Sequence, residues 1–160
     1  MRVMLITRNR GLIAGGNGGP PVSQATRDAV TDLYAAYARR DFERVAALMD
    51  DDIDWIIYGP VQVFPFVGHR HGKAAVLTAL GGIAQDYVLE RYVPQIMIGE
   101  DDRAAVMSDV AFKQRSTGRM ITTQLANFLR FRDGRIIEFR EFANTFDLVE
   151  QAIGHFIEVG

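Results

Sequence analysis

The stretch Leu129-Arg-Phe-Arg-Asp-Gly-Arg-Ile136 decides the fold of this chain. Apolar and basic side chains alternate up to Asp133-Gly134, a pair that favours the tight turn of a β-hairpin. Working outward from this turn, β-rich segments cover 89–98, 103–116, 120–132 and 135–145, and Glu-Asp-Asp, Ser-Thr-Gly and Arg-Asp-Gly turns separate them. The second half of the chain is therefore predicted to be an antiparallel meander.

The first half of the chain carries helical patterns. Val30, Leu33, Tyr34 and Tyr37 recur on one face, which predicts a helix from its N-cap Ser23 to about residue 40. A second, shorter helix is predicted after Asp41, and the acidic run 50–52 ends it as a solvated turn. A strand over 54–58, an irregular loop over 59–72 and a third helix over 73–87 follow.

Composition indicates one globular domain. The 160 residues are 48% hydrophobic, and 18 basic against 20 acidic residues leave a net charge of −2. No surface of one sign is available for nucleic acid or an anionic membrane, so neither is a predicted partner. With no cysteine, disulfides and thiolate metal sites are excluded, and a cytoplasmic location is the default. Residues 1–22 are predicted to be a flexible tail and 23–160 a single domain.

Helices first and hairpins second predict an α+β fold, with the helices packed on one face of a curved, mainly antiparallel β-sheet. Four further motifs accompany this order: Asp41-Phe-Glu43, Pro65-Phe-Val-Gly68, His71-Gly72 and Arg140-Glu-Phe-Ala-Asn144. Together they resemble the nuclear-transport-factor-two-like superfamily, and within it SnoaL-like and ketosteroid-isomerase-related proteins. The resemblance covers residues 25 to about 152.

The resemblance implies a cone-shaped domain, in which three N-terminal helices pack against a strongly curved sheet. It also implies a pocket at the open end of the cone and a convex sheet face that often forms homodimers. It does not imply one chemistry, because the superfamily includes isomerases, cyclases, hydrolases and proteins without known activity. Matched without gaps to ketosteroid isomerases, the chain has Leu33 at the catalytic tyrosine, Ile57 at the base and Asn127 at the protonated acid. Leucine and isoleucine cannot donate or accept a proton, so authentic ketosteroid isomerase activity is not expected.

Strand alternation predicts which side chains face this pocket. Ile137, Phe139, Glu141 and Ala143 share one face of the last strand, which places Glu141 among apolar neighbours. Ser108 shares a face of its strand with Val110. The predicted substrate-binding residues are Tyr37, Trp55, Ile57, Phe66, Val110, Phe112, Gln114, Leu125 and Phe139. This pattern of apolar walls with a few polar groups suits a small apolar metabolite.

Two polar side chains are the predicted catalytic groups. Glu141 is the candidate base, because an apolar setting raises the pKa of a carboxyl group toward neutrality. Asn127 is the candidate oxyanion donor, since its amide can hydrogen-bond a carbonyl or enolate oxygen. Glu141 could instead form a structural ion pair with Arg91, Arg140 or a helix terminus.

These groups lead to two hypotheses. The first is a SnoaL-like isomerase or cyclase that moves a proton on an apolar carbonyl compound. The alternative is a non-catalytic ligand-binding or dimerisation module. An epoxide hydrolase is disfavoured, because Asp109 is predicted to point away from the pocket. No cofactor and no metal ion are predicted, because His69 and His71 alone do not match the usual ligand spacings of a metal site.

Overall fold

The computed structural model describes residues 23–158. It contains four helices and six strands: α1 Gln24–Ala38, α2 Phe42–Ala47, β1 Met49–Ile57, β2 Gly68–His71, α3 Lys73–Asp86, β3 Tyr87–Glu100, β4 Arg103–Gln114, β5 Met120–Arg132, β6 Arg135–Ala143 and α4 Thr145–Ile153. The predicted α+β fold is confirmed. The predicted tail over 1–22 lies outside the described residues.

Side-chain caps fix where the first two helices begin. The Ser23 hydroxyl accepts a hydrogen bond from the Thr26 backbone N–H at 3.1 Å, and the Asp41 carboxylate accepts one from the Arg44 N–H at 3.0 Å. Each cap satisfies a backbone donor that has no partner inside the helix. Both predicted N-caps are confirmed.

One curved sheet carries the domain, with strand order β2-β1-β6-β5-β4-β3. All neighbouring strands pair antiparallel except β1 and β6, the first and last long strands, which run parallel. Register shifts interrupt the β3–β4 ladder at two places. Such irregularities bend a strand and increase its twist, which helps the sheet to curve around the core on its inner face.

The structure corrects three predictions. Asp50, Asp51 and Asp52 lie within β1 rather than in a turn, because the buried Met49 and Ile53 on either side hold this segment in the sheet. The predicted loop over 59–72 contains β2, which pairs with β1. Ile137 does not share the buried face of Phe139, because a register shift in the β5–β6 ladder brings Ile136 opposite Phe131 and buries it.

Helix α4 was not predicted, although its signals are present in the sequence. The Asn144 side chain caps it by accepting a hydrogen bond from the Asp147 N–H at 3.3 Å, and Gly154 ends it in the left-handed conformation at φ 82°. Glycine is favoured at this position because it has no side chain to clash. The helix follows β6 directly and packs mainly against β5.

The core lies between the inner face of the sheet and helices α1 and α3. The outer face of the sheet is left open to solvent and carries large apolar side chains: Ile96, Ile98, Phe128 and Phe142. Within 23–158, no helix is both long enough and apolar enough to cross a membrane.

Candidate functional site

A cavity of about 110 Å³ opens between the inner face of the sheet, α1, α3, the segment 58–67 and α4. Its walls are almost entirely apolar. The lining includes ten aromatic side chains: Tyr34, Tyr37, Trp55, Tyr58, Phe64, Phe66, Tyr87, Tyr92, Phe112 and Phe139. Glu141 is the one carboxyl group in this lining.

Most of the residues predicted to face the pocket do line this cavity: Tyr37, Trp55, Ile57, Phe66, Phe112, Leu125, Phe139 and Glu141. Three others lie outside the lining. Val110 is completely buried in the core, Gln114 ends β4 and accepts a hydrogen bond from the Thr117 hydroxyl, and Asn127 lies behind Glu141. The functional roles of all these residues stay predictions.

Two strand pairings hold Glu141 in place. On β6 it lies opposite Asn127 of β5 on one side and Ile57 of β1 on the other. Both of its neighbours in the chain, Arg140 and Phe142, belong to the opposite face of the sheet. The Glu141 side chain is partly buried and faces the cavity.

The surroundings of Glu141 make it an unusual acid. Burial disfavours the charged carboxylate and raises the pKa of Glu141 from 4.5 to about 7, although a hydrogen bond from Asn127 opposes this rise. Arg140, an alternative ion-pair partner, instead bonds Asp54 and Glu138 on the outer face. Within 23–158, Glu141 forms no ion pair at all.

Asn127 is completely buried and uses both ends of its amide. The amide nitrogen donates to Glu141 Oε2 at 2.9 Å, while Oδ1 accepts from the hydroxyls of Tyr34 at 2.9 Å and Tyr92 at 3.2 Å. Buried polar groups need such partners, since an unpaired one costs about 1–3 kcal/mol. Both polar atoms of the amide thus have partners behind the cavity wall.

Aromatic pairs form part of the cavity wall. Trp55 and Phe139 come from paired positions on β1 and β6 and stack with ring centroids 3.6 Å apart and planes 8° from parallel. Phe66, from the segment before β2, meets Tyr87 edge-on at 5.8 Å. Stacked and edge-to-face pairs of this kind are favourable beyond the area they bury.

Sequence reasoning missed several cavity residues. Tyr34 was assigned to the helical stripe but not to the pocket, and Tyr92 and Leu148 were not singled out. Tyr92 follows a register shift in β3, so simple alternation along that strand does not give its direction. Leu148 depends on α4, whose Asn144 cap and Gly154 end were the signals available.

The histidines considered as metal ligands, His69 and His71, are not in the lining of this cavity. His69 and His71 belong to β2, and His69 Nε2 contacts the Asp54 carboxylate near the solvent. In the part of the chain that the structure describes, no three His, Asp or Glu side chains gather where they could hold a metal ion.

Known proteins with a similar sequence or fold identify the family of this chain. A family model described as a SnoaL-like domain matches residues 30–139. Among solved structures, the chain is similar to a proposed isomerase from Rhodopseudomonas palustris, with 38% identity, a TM-score of 0.74, and 83% of this chain and 98% of that chain covered. No curated protein matched in a sequence search.

Two more distant structures share the fold. An NTF2-like protein of unknown function from Burkholderia pseudomallei is 21% identical with a TM-score of 0.75, and the match covers 81% of this chain and 98% of that one. A proposed polyketide cyclase from a Silicibacter species is 19% identical with a TM-score of 0.67, covering 80% and 95%. The family match extends over most of the described domain, including β1, β5 and most of β6. The chain therefore belongs to the SnoaL-like family.

Proposed function

We propose that this protein is a small-molecule enzyme that transfers a proton on carbon next to a carbonyl group, with Glu141 as the base. One observation carries the proposal: a single carboxyl group faces an apolar cavity, and burial brings its pKa to about 7. A base with a pKa near the working pH combines a useful ionised fraction with useful basicity. The proposed isomerase from Rhodopseudomonas palustris supports this class of reaction.

The reaction begins when the Glu141 carboxylate removes a proton from the carbon beside the carbonyl. The electron pair of the broken C–H bond forms the C=C bond of an enolate, and the carbonyl oxygen takes the negative charge. In an isomerisation of a β,γ-unsaturated ketone, the enolate is conjugated with the second C=C bond, so Glu141 returns the same proton to the γ carbon, the C=C bond moves next to the carbonyl, and the C=O bond forms again. In a cyclisation, the enolate carbon instead bonds a second carbonyl carbon, whose oxygen then takes the proton.

Tyr37 supplies a hydrogen-bond donor for the ligand oxygen in this proposal. Its ring lines the cavity. The hydroxyls of Tyr34 and Tyr92 donate to Asn127, whereas within 23–158 the Tyr37 hydroxyl makes no such bond. Burial and the Glu141 charge raise the pKa of Tyr37, so the phenol keeps its proton at neutral pH. A protonated phenol can donate to an oxygen that gains negative charge.

Cavity size limits the ligand. Drug-sized ligands occupy pockets of roughly 300–1,000 Å³, whereas an engineered apolar cavity of about 150 Å³ binds benzene. The 110 Å³ here therefore suits a compound of about one ring. Simple cyclic ketones such as cyclohexanone and cyclohex-2-enone are suitable probes.

Exchange of carbon-bound protons in D₂O tests the proposal without knowledge of the natural substrate. Wild-type protein should speed the loss of the ¹H NMR signal beside the carbonyl of these probes. Glu141→Gln should slow this exchange by about a hundredfold or more, because glutamine cannot accept the proton. Glu100→Gln, the same change at an exposed position outside the cavity, should leave the rate unchanged. Equal rates in wild type and Glu141→Gln would contradict the proposal.

A non-catalytic binding module is the second candidate. It is favoured by Leu33 and Ile57, which line the cavity with side chains that cannot take part in proton transfer. Such a protein would bind cyclohexanone, as seen in its melting temperature, without speeding proton exchange.

The apolar outer face of the sheet supports a further part of the proposal, a homodimer formed through this face. Ile98 and Phe128 are 65% and 52% exposed there, and burial of apolar area is the main driving force of association.

The proposed compartment is the cytoplasm, because the absence of cysteine makes the chain independent of an oxidising environment.

A further inference from the structure

Asn127 lies at the centre of a buried cluster behind the cavity. Tyr34 from α1 and Tyr92 from β3 both donate to its oxygen, and its nitrogen donates to Glu141. The two tyrosine rings stack with centroids 5.4 Å apart, and both residues are buried. Both hydroxyls thus have the Asn127 oxygen as their partner inside the folded domain.

The orientation of this amide matters for the carboxyl group beside it. An amide nitrogen donates to an ionised carboxylate and stabilises it, whereas an amide oxygen can only accept from the protonated acid. Two phenolic donors on Oδ1 favour the first orientation. Because linked hydrogen bonds polarise one another, they also strengthen the bond from the nitrogen to Glu141.

We propose that Tyr34, Tyr92 and Asn127 form a positioning unit: the two hydroxyls hold the amide oxygen, so that the amide nitrogen holds Glu141 Oε2 and leaves Oε1 for the ligand. The purpose of this unit, though not its geometry, rests on the proposed function. Asn127 lies outside the cavity lining and acts through Glu141 rather than on the ligand oxygen. In this proposal Asn127 is a positioning residue, and the oxyanion role predicted from the sequence is not used.

The groups that face Glu141 come from four elements. Helix α1 contributes Tyr34 and Tyr37, β3 contributes Tyr92, and β5 contributes Asn127. Strand β1 contributes the apolar Ile57 at the paired position. Within 23–158 no arginine, lysine or histidine lies in ion-pair contact with the carboxylate, so Asn127 is its main electrostatic support.

Direct titration of Glu141 tests the unit without any substrate. In protein labelled with ¹³C at the glutamate carboxyl carbons, the Glu141 signal is identified by its loss in Glu141→Gln. Tyr34→Phe and Tyr92→Phe each leave one donor on Oδ1 and should raise the pKa of Glu141 only slightly. The double variant frees the amide to rotate and should raise it by about one unit, more than the two single shifts together.

Tyr58→Phe is the matched control, since Tyr58 lines the same cavity but does not contact Asn127. A double variant that titrates like wild type, or a Tyr58→Phe shift of equal size, overturns the positioning unit. If the double variant does not fold, the wild-type Asn127 side-chain amide protons give a second readout. They should exchange slowly with water and change chemical shift as Glu141 titrates, and an amide that does neither overturns the proposal.

These outcomes are independent of the proposed reaction. A coupled titration without proton exchange on the ketone probes would leave the positioning unit standing and remove the enzyme proposal. If proton exchange depends on Glu141 but the pKa of Glu141 does not change in the tyrosine variants, the enzyme proposal would stand and the positioning unit would be removed.

Discussion

Glu141 carries an ionisable group into a place where ionisation is costly. The folded protein keeps this carboxyl protonated up to about pH 7, whereas the unfolded chain releases the proton near pH 4.5. Between these values the native state binds more protons, so its free energy of unfolding falls as the pH rises. Glu141 therefore lowers the stability of the folded protein at neutral pH.

Replacing this acid should remove the pH-dependent loss. Glu141→Gln keeps the shape of the side chain but cannot ionise. The gain in its free energy of unfolding over that of wild type should therefore be larger at pH 8 than at pH 5, by on the order of 2 kcal/mol. Urea unfolding at the two pH values measures this difference. The exposed Glu100→Gln should show no such change, and a parallel pH profile for wild type and Glu141→Gln would refute the expectation.

At the residue level, the sequence predicted which way a side chain points better than which residues it would hydrogen-bond. Alternation along β6 correctly turned Glu141 away from the outer face, because neighbouring strand residues point to opposite sides. The partners of Asn127 were beyond this reasoning. They come from α1 and β3, and their meeting depends on how the helix lies across the curved sheet.

Among the elements, helix α4 forms part of one cavity wall and is held to the sheet mainly by its contacts with β5. Thr145 and Leu148 line the cavity, and Ala152 is the one fully buried residue of the helix. Gln151 ties α4 to β5, since its amide donates to the Thr122 carbonyl at 2.9 Å and accepts from the Thr122 N–H at 2.8 Å.

Removing this tie should loosen α4 without unfolding the domain. Gln151→Ala loses both of these hydrogen bonds and the one to Asp147 in its own helix. Because the two bonds to β5 contribute about 1 kcal/mol each, the α4 amides should exchange with solvent about 30-fold faster. Hydrogen exchange followed by NMR measures this effect element by element. Gln24→Ala is the control, because Gln24 bonds only Asp28 in its own helix. Unchanged protection in α4 would show that other contacts hold the helix.

The elements differ in how readily the sequence reveals them. Helix α1 and strand β5 have strong periodic patterns and clear ends, and both were predicted closely. Strand β2 is only four residues long and contains His-Arg-His, so it exists because β1 offers a free edge rather than because of its own propensity. Tertiary pairing of this kind leaves little trace in a local pattern.

For the whole molecule, the open apolar face of the sheet is the surface through which the proposed homodimer would form. Phe128 and Phe142 meet edge-on at 5.8 Å at the centre of this face. Phe128→Glu should convert the proposed dimer to a monomer in sedimentation analysis, because a buried charge without a partner opposes association. Phe146→Glu, on α4, should leave the assembly intact. A monomeric wild type at micromolar concentration would contradict the homodimer.

The parallel pairing of β1 with β6 also bears on how the protein is made. The cavity has no complete wall until the final long strand has emerged from the ribosome and docked beside the first. Until then, the nascent chain carries β1 with one edge unpaired, a site where other chains could add. A chain that stops before β6 would therefore lack both the strand that covers this edge and the cavity wall that carries Phe139 and Glu141.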